Sequence, residues 1–232
     1  MIHIRRAEDR GHVDHGWLDA RHTFSFASYQ DPEHTGFRDL IVINEDRVRP
    51  GTGFGTHGHQ DMEILTWVLE GGLRHRDSMG SEGVIRPGEA QVMSAGKGIR
   101  HSEVNASEQE SVHLLQIWIL PRRLGKAPSY DSRRFDDAEL RDRLCLVAGD
   151  SDKGEALPLD QDVEVRIGRL SPGTELVHEL APGRHAWLQV ARGGLWLNGE
   201  ELRTGDGAAV SGEDRLELRA EEAAELVLFD LR

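Results

Sequence analysis

The feature that most constrains the fold is an internal repeat, since the two halves of this 232-residue chain carry similar motifs in the same order. Three motifs recur: Pro50-Gly51-Thr52 as Pro172-Gly173-Thr174, Gly71-Gly72-Leu73 as Gly193-Gly194-Leu195, and the segment from Gly88 to Ser94 as that from Gly205 to Ser211. The first two lie 21 residues apart in both halves. Such spacing predicts one structural unit used twice. We therefore expect two domains, residues 1–130 and 131–232.

Each half consists of short apolar runs separated by turn residues. Leu40-Ile41-Val42-Ile43 and Ile64-Leu65-Thr66-Trp67-Val68-Leu69 are rich in β-branched and aromatic residues, which is typical of strands. Glu70-Gly71-Gly72 is typical of a turn. Many short strands with regular turns predict an all-β fold, a sandwich or barrel. One short helix is predicted over about residues 136–144, with Asp136 or Asp137 as its cap.

Charge and composition exclude several classes of partner. The chain has 28 basic and 41 acidic residues, a formal charge of -13, which disfavours nucleic acid and anionic membranes. No run of 18 or more apolar residues occurs, and no apolar segment follows the charged start, so we expect neither a membrane span nor a secretory signal. A single cysteine, Cys145, excludes an internal disulfide and fits a cytoplasmic protein.

Two glycine-flanked segments in the first half hold pairs of metal-ligand residues. Side chains two apart in a strand share a face, so His57 and His59 form one pair and His101 and Glu103 another. If the two strands are neighbours, three imidazoles and one carboxylate converge. Parity also leaves Glu63 on the face of His57, as an alternative carboxylate.

The second half lacks these ligands. Counted from the repeated motifs, the positions of His57, His59, His101 and Glu103 correspond in the second half to Glu179, Ala181, Leu218 and Ala220. His178 and His185 lie seven residues apart without a partner pair, and we interpret them as surface or packing residues. One site, in the first half, is expected.

The same segments resemble a known family. Gly51-x5-His57-x-His59-x3-Glu63 is similar to the first cupin motif, and Gly98-x2-His101-x3-Asn105 to the end of the second. His22-Thr23-Phe24-Ser25-Phe26 and the stretch from Ser94 to Glu103 further resemble the pirin family, in particular its bacterial quercetin dioxygenase-like members.

This resemblance implies a bicupin, two antiparallel β-barrels packed together, with one metal ion in the N-terminal barrel. It implies His57, His59, His101 and Glu103 as ligands and leaves Glu63 as a pocket carboxylate. Three imidazoles and one carboxylate suit Fe(II), Mn(II), Ni(II), Cu(II) or Zn(II), and the resemblance favours Fe(II).

The implied function is a metal-dependent dioxygenase that opens the central ring of flavonols such as quercetin with O2 and releases carbon monoxide. Glu103 is then a ligand and also the base that accepts the substrate hydroxyl proton. Candidates for lining the pocket, each with core packing as an equal alternative, are Phe24, Phe26, Phe54 and Trp67. Two other hypotheses stay open: a redox-sensing regulator that acts through a protein partner, and a metal-free ligand-binding cupin, which the intact ligand set disfavours.

Overall fold

The computed structural model describes residues 1–150 and 156–232, and these form two compact units. The first unit comprises residues 11–135 and 157–161, and the second comprises residues 1–10, 136–156 and 162–232. Each unit thus holds one half of the repeat. The division differs from a single boundary at residue 130, because the first ten residues belong to the second unit and residues 157–161 to the first.

The first unit consists of two antiparallel sheets. Their strands are β2 (Gly11–Asp14), β3 (Leu18–His22), β4 (Leu40–Val48), β5 (Gly53–His59), β6 (Glu63–Glu70), β7 (Leu73–Asp77), β8 (Glu82–Ile85), β9 (Glu89–Ser94), β10 (Ile99–Asn105), β11 (Val112–Ile119) and β12 (Ser129–Arg134). The short strand β14 (Leu157–Leu159) also belongs to this unit but lies outside these two sheets. One sheet has the order β12-β9-β6-β11-β4-β3-β2, and the other the order β5-β10-β7-β8.

The second unit repeats this plan. Its strands are β1 (Ile2–Arg5), β13 (Cys145–Asp150), β15 (Val163–Leu170), β16 (Glu175–Glu179), β17 (His185–Arg192), β18 (Gly194–Leu197), β19 (Glu200–Arg203), β20 (Gly207–Ser211), β21 (Arg215–Arg219) and β22 (Ala224–Leu231). The order β1-β20-β17-β22-β15-β13 corresponds to β12-β9-β6-β11-β4-β3, and β16-β21-β18-β19 to β5-β10-β7-β8. The chain therefore has the all-β bicupin fold that its sequence predicts.

Hydrogen bonds confirm the repeat at the level of single residues. The Asn105 amide donates to the Thr52 carbonyl over 2.8 Å, and the Ala220 amide donates to the Thr174 carbonyl over 2.9 Å. The glycines before these threonines have φ of 64° at Gly51 and 86° at Gly173, in the left-handed region that favours glycine. Both copies of the Pro-Gly-Thr motif thus form the same turn.

Alternation along the strands decides which side chains enter the first barrel. In β10, Ile99, His101, Glu103 and Asn105 are buried, while the residues between them are more exposed. The apolar part of this interior includes Val48, Val68 and Leu114.

The predicted helix is present but shorter than expected. It spans Asp137–Leu140, with Asp136 at its N-cap, where the amide of Asp136 donates to the Glu139 carboxylate over 2.8 Å. The helix ends because Arg141 is extended and Asp142 has φ 53°. None of the helices in residues 1–150 and 156–232 has the length and apolar character needed to cross a membrane.

Candidate metal centre

Strands β5 and β10 bring three histidines together. His101 lies opposite His57 in the antiparallel register, and their Nε2 atoms are 3.1 Å apart. One ring nitrogen from each of His57, His59 and His101 lies within 4.8 Å of the other two. A group of this kind can hold one metal ion.

The three imidazoles are prepared for metal binding by their surroundings. His57 Nδ1 is 2.8 Å from the carbonyl of Gly55, which only accepts hydrogen bonds, so Nδ1 is the donor in this contact and Nε2 is the nitrogen that faces His101. Burial, followed by the charge of His57, lowers the pKa of His59 to about 4. Burial and the neighbouring histidines lower the pKa of His101 to about 3. Neutral imidazoles are the form that binds a divalent transition metal, and the donor set fits such an ion.

Glu103 lies beside this group, and its carboxylate is within 4.8 Å of ring nitrogens of His75 and His101. Gln91 Nε2 donates to its Oε1 over 2.6 Å, and Gln116 Nε2 donates to its Oε2 over 2.9 Å. Thr66 Oγ1 donates to the Gln116 side-chain oxygen over 2.7 Å. We call Thr66, Gln91 and Gln116 the carboxylate cradle. Burial raises the pKa of Glu103 to about 7, although the cradle hydrogen bonds oppose the shift.

The second barrel replaces this polar interior by apolar residues. Thr66 pairs with Gln91 and Gln116 on the two neighbouring strands of the first unit. In the second unit, Leu188 pairs with Ala208 and Leu228 on the equivalent strands, so these three residues occupy the positions of the cradle. Leu218 stands in the place of Glu103, and all four belong to one apolar core. The second unit therefore offers no such donor set.

Strand pairing in the two units also corrects the equivalent positions that were counted from the repeated sequence motifs. Leu216, not Leu218, occupies the place of His101, and its pairing partner His178 occupies the place of His57. The count failed at His57 because an irregularity in the β5–β10 register shifts the pairing by one residue. It failed at His101 because Leu216 follows Ser211 more closely along the chain than His101 follows the equivalent Ser94. His178 Nε2 lies 2.9 Å from the Asp230 carboxylate, so this histidine is held by a hydrogen bond.

A cavity of about 310 Å³ opens onto the histidines. Its aromatic wall includes Trp17, Phe26, Phe54 and Trp118, and its polar wall includes His22, Asn44, Asp46, His57, His59, Glu103 and Gln116. The size is near the lower end of the roughly 300–1,000 Å³ of small-molecule sites. The lining residues that were not predicted from the sequence include Trp17, His22, Asn44, Asp46, Gln116 and Trp118. Asn44 and Asp46, which share one face of β4 directly after its apolar start, are the signal that could have revealed the polar wall.

Of the five predicted pocket residues, only Phe26 and Phe54 line this cavity. Phe24 and Trp67 are instead core residues, with 2% and 0% of their surfaces exposed.

Glu63 also lies away from the cavity, which corrects its predicted role. Asp61 adopts φ 47° between β5 and β6, so strand parity does not carry over from His57 to Glu63. In β6, Thr66 faces the barrel interior, and Glu63 has the opposite parity. Its carboxylate accepts a hydrogen bond from Ser94 Oγ, and burial raises its pKa.

The chain is similar to known proteins over its whole length. Residues 3–119 match the Pirin family model, and residues 146–231 match the model described as Quercetinase C-terminal cupin domain. A protein named quercetin 2,3-dioxygenase from Escherichia coli (strain K12) is 47% identical over 231 residues, covering 100% of this chain and 99% of that relative. A pirin-like protein from Caulobacter vibrioides is 42% identical, covering 99% of both.

Solved structures show the same similarity over the whole length of the chain. YhhW from Escherichia coli superimposes with a TM-score of 0.96 at 46% identity, covering 100% of this chain and 98% of YhhW. A second YhhW structure, with a TM-score of 0.95, contains nickel(II). With two cupin domains, three converging histidines in the first of them and relatives of this similarity, the chain belongs to the pirin family.

Proposed function

We propose that this protein is a metal-dependent dioxygenase that opens the central ring of flavonols such as quercetin with O2 and releases carbon monoxide. The observation that carries the proposal is the convergence of three imidazoles on an aromatic-lined cavity. The names of the similar proteins support the choice of reaction. With one cysteine, the chain suits the reducing cytoplasm, where we place the activity.

The proposed cofactor is one divalent transition metal, Fe(II), held by His57, His59, His101 and Glu103. When bound, the metal supplies Lewis-acid and redox chemistry, lowering the pKa of a coordinated hydroxyl and allowing reaction with O2. Nickel(II) in the YhhW complex supports a divalent ion.

The side chains of the first barrel would perform the remaining tasks. Glu103 lines the cavity beside the histidines and would accept the flavonol 3-hydroxyl proton on a carboxylate oxygen. The aromatic wall provides flat surfaces for a planar ring system, including the edge-to-face pairs Trp17–Phe54 and Phe26–Trp118, with centroid distances of 5.2 and 5.3 Å. These groups also keep water away from the reacting ring.

The test is anaerobic reconstitution with one metal at a time, followed by addition of flavonol and air. We expect loss of the flavonol absorbance and release of carbon monoxide with at least one metal. Persistence of the absorbance with every metal would overturn the dioxygenase proposal. Elemental analysis of the freshly purified protein tests the assignment of iron.

Substitution of single histidines locates the site. His101→Ala should abolish metal binding and turnover, whereas His178→Ala, at the place of His57 in the second barrel, should retain both. Turnover that survives loss of the metal from His101→Ala would contradict the mechanism. Capture of a protein partner that depends on the oxidation state of the metal, without flavonol turnover, would favour the regulatory hypothesis instead.

A further inference from the structure

The proposed mechanism does not use the carboxyl group of Asp46. It lies on β4, lines the cavity that opens onto the histidines, and has only 4% of its surface exposed. Its Oδ1 atom is buried and has no hydrogen-bond partner. A buried polar oxygen without a partner is costly, and its presence in a native protein calls for a ligand or another explanation.

The neighbouring polar groups of the cavity are already engaged. Asn44 Oδ1 lies 2.8 Å from His22 Nδ1. Gln116 donates to Glu103 and accepts from Thr66. Asp46 therefore differs from these groups in having a side-chain oxygen still to be satisfied.

Folding of a barrel of this design does not require a carboxylate here. Asp46 lies opposite Leu114, and the matching pair in the second barrel is Gly168 with Leu226. Because both barrels have the same strand order, the second shows that a residue without a side chain is compatible with the position. This favours a role for Asp46 toward a molecule in the cavity.

We propose that Asp46 determines specificity by accepting, at its carboxyl group, a hydrogen bond from a phenolic hydroxyl of the substrate other than the chelating 3-hydroxyl. The inference rests on the proposed flavonol chemistry. His57, His59 and Asp46 line the same cavity of about 310 Å³, so an aromatic molecule held at the histidines extends into the space beside Asp46. A substrate with a further hydroxyl supplies a partner to the Asp46 carboxyl group, while one without it leaves this buried polar group unpaired, and such sites discriminate strongly.

The experiment compares two flavonols with the same chelating oxygen pair. Quercetin carries further ring hydroxyls, and 3-hydroxyflavone carries none. Each is titrated into Zn(II)-loaded protein without O2, and the dissociation constant is measured by absorbance and calorimetry. Binding is thereby separated from turnover.

For Asp46→Ala, we expect quercetin to bind at least about tenfold more weakly, the effect of one buried hydrogen bond, and 3-hydroxyflavone to bind within about twofold of wild type. Asp46→Asn keeps a side-chain oxygen acceptor and should retain most of the quercetin affinity. If Asp46→Ala does not fold, Asp46→Gly, copied from Gly168, replaces it.

Equal changes for the two flavonols, or none, would overturn the role of Asp46 and leave the proposed function intact. Wild-type protein that binds neither flavonol would overturn the proposed function together with this inference. The two failures are therefore distinguishable.

Discussion

Replacement of Asp46 by asparagine should remove a large pH dependence of stability. Burial, followed by the charges of Glu103, Glu45 and Asp19, raises the pKa of Asp46 from 3.8 to about 8. Folding therefore favours the protonated acid. The stability that follows from this preference is fully present below the unfolded-state pKa of 3.8 and is lost as the pH rises through about 8.

The size of the effect follows from the two pKa values. A difference between 3.8 and about 8, at about 1.4 kcal/mol for each tenfold change in proton affinity, corresponds to an upper limit of about 6 kcal/mol. Between about pH 5 and pH 8, the wild type should lose about 4 kcal/mol of unfolding free energy relative to Asp46→Asn. Asparagine has nearly the same shape and does not titrate, so its effect on packing should not vary with pH.

The assay is urea unfolding of both proteins after removal of metal by a chelator, at intervals of one pH unit. Metal must be absent because its release on unfolding would add its own pH dependence. The quantity to compare is the difference in unfolding free energy between the two proteins at each pH. A difference that stays constant from about pH 5 to pH 8 would refute the reasoning, since it would mean that Asp46 is ionised in the folded protein.

Three further predictions test the cavity, the cradle and a turn. Trp67→Ala should destabilise the protein by about 3–5 kcal/mol without changing its metal content. Phe54→Ala should weaken flavonol binding and lower the free energy of unfolding by less. The reverse pattern in urea unfolding and flavonol titration would contradict the assignment of the cavity wall. Replacing Glu103 and the carboxylate cradle together by their second-unit counterparts should give a folded barrel that binds metal more weakly, because one of the four proposed ligands is lost. An unfolded product by circular dichroism would argue against the equivalence. Gly193→Ala and Gly173→Ala both place alanine at a positive φ, which costs about 1 kcal/mol. Only at Gly193 would the new Cβ also overlap a backbone carbonyl, so the thermal midpoint of Gly193→Ala should fall further than that of Gly173→Ala. Equal decreases in the two midpoints would contradict this.

The metal-ligand pattern was accessible from sequence because parity within a strand is a local property. His57 with His59, and His101 with Glu103, share faces wherever their strands lie. Their meeting needed one further condition, that β5 and β10 are neighbours, and the structure provides it. Parity failed for Glu63, because a residue with positive φ lies between the two strands.

The polar wall of the cavity was not accessible in the same way. Asp46 on β4 and Glu103 on β10 belong to different sheets of the first unit and approach each other across its interior, and no local pattern states which strands face each other. The aromatic residues show the same limit, since Phe24 and Phe26 have equal parity and similar character, yet only Phe26 reaches the cavity.

The sequence by itself determined the repeated all-β design, its turns and the spacing of the histidine pairs, because these depend on neighbours along the chain. Tertiary structure alone decided which carboxylates face the histidines, which aromatic residues line the cavity and which aromatic residues are buried in the core. Those outcomes depend on strand pairing and on register shifts, where one irregularity moves a side chain to the opposite face.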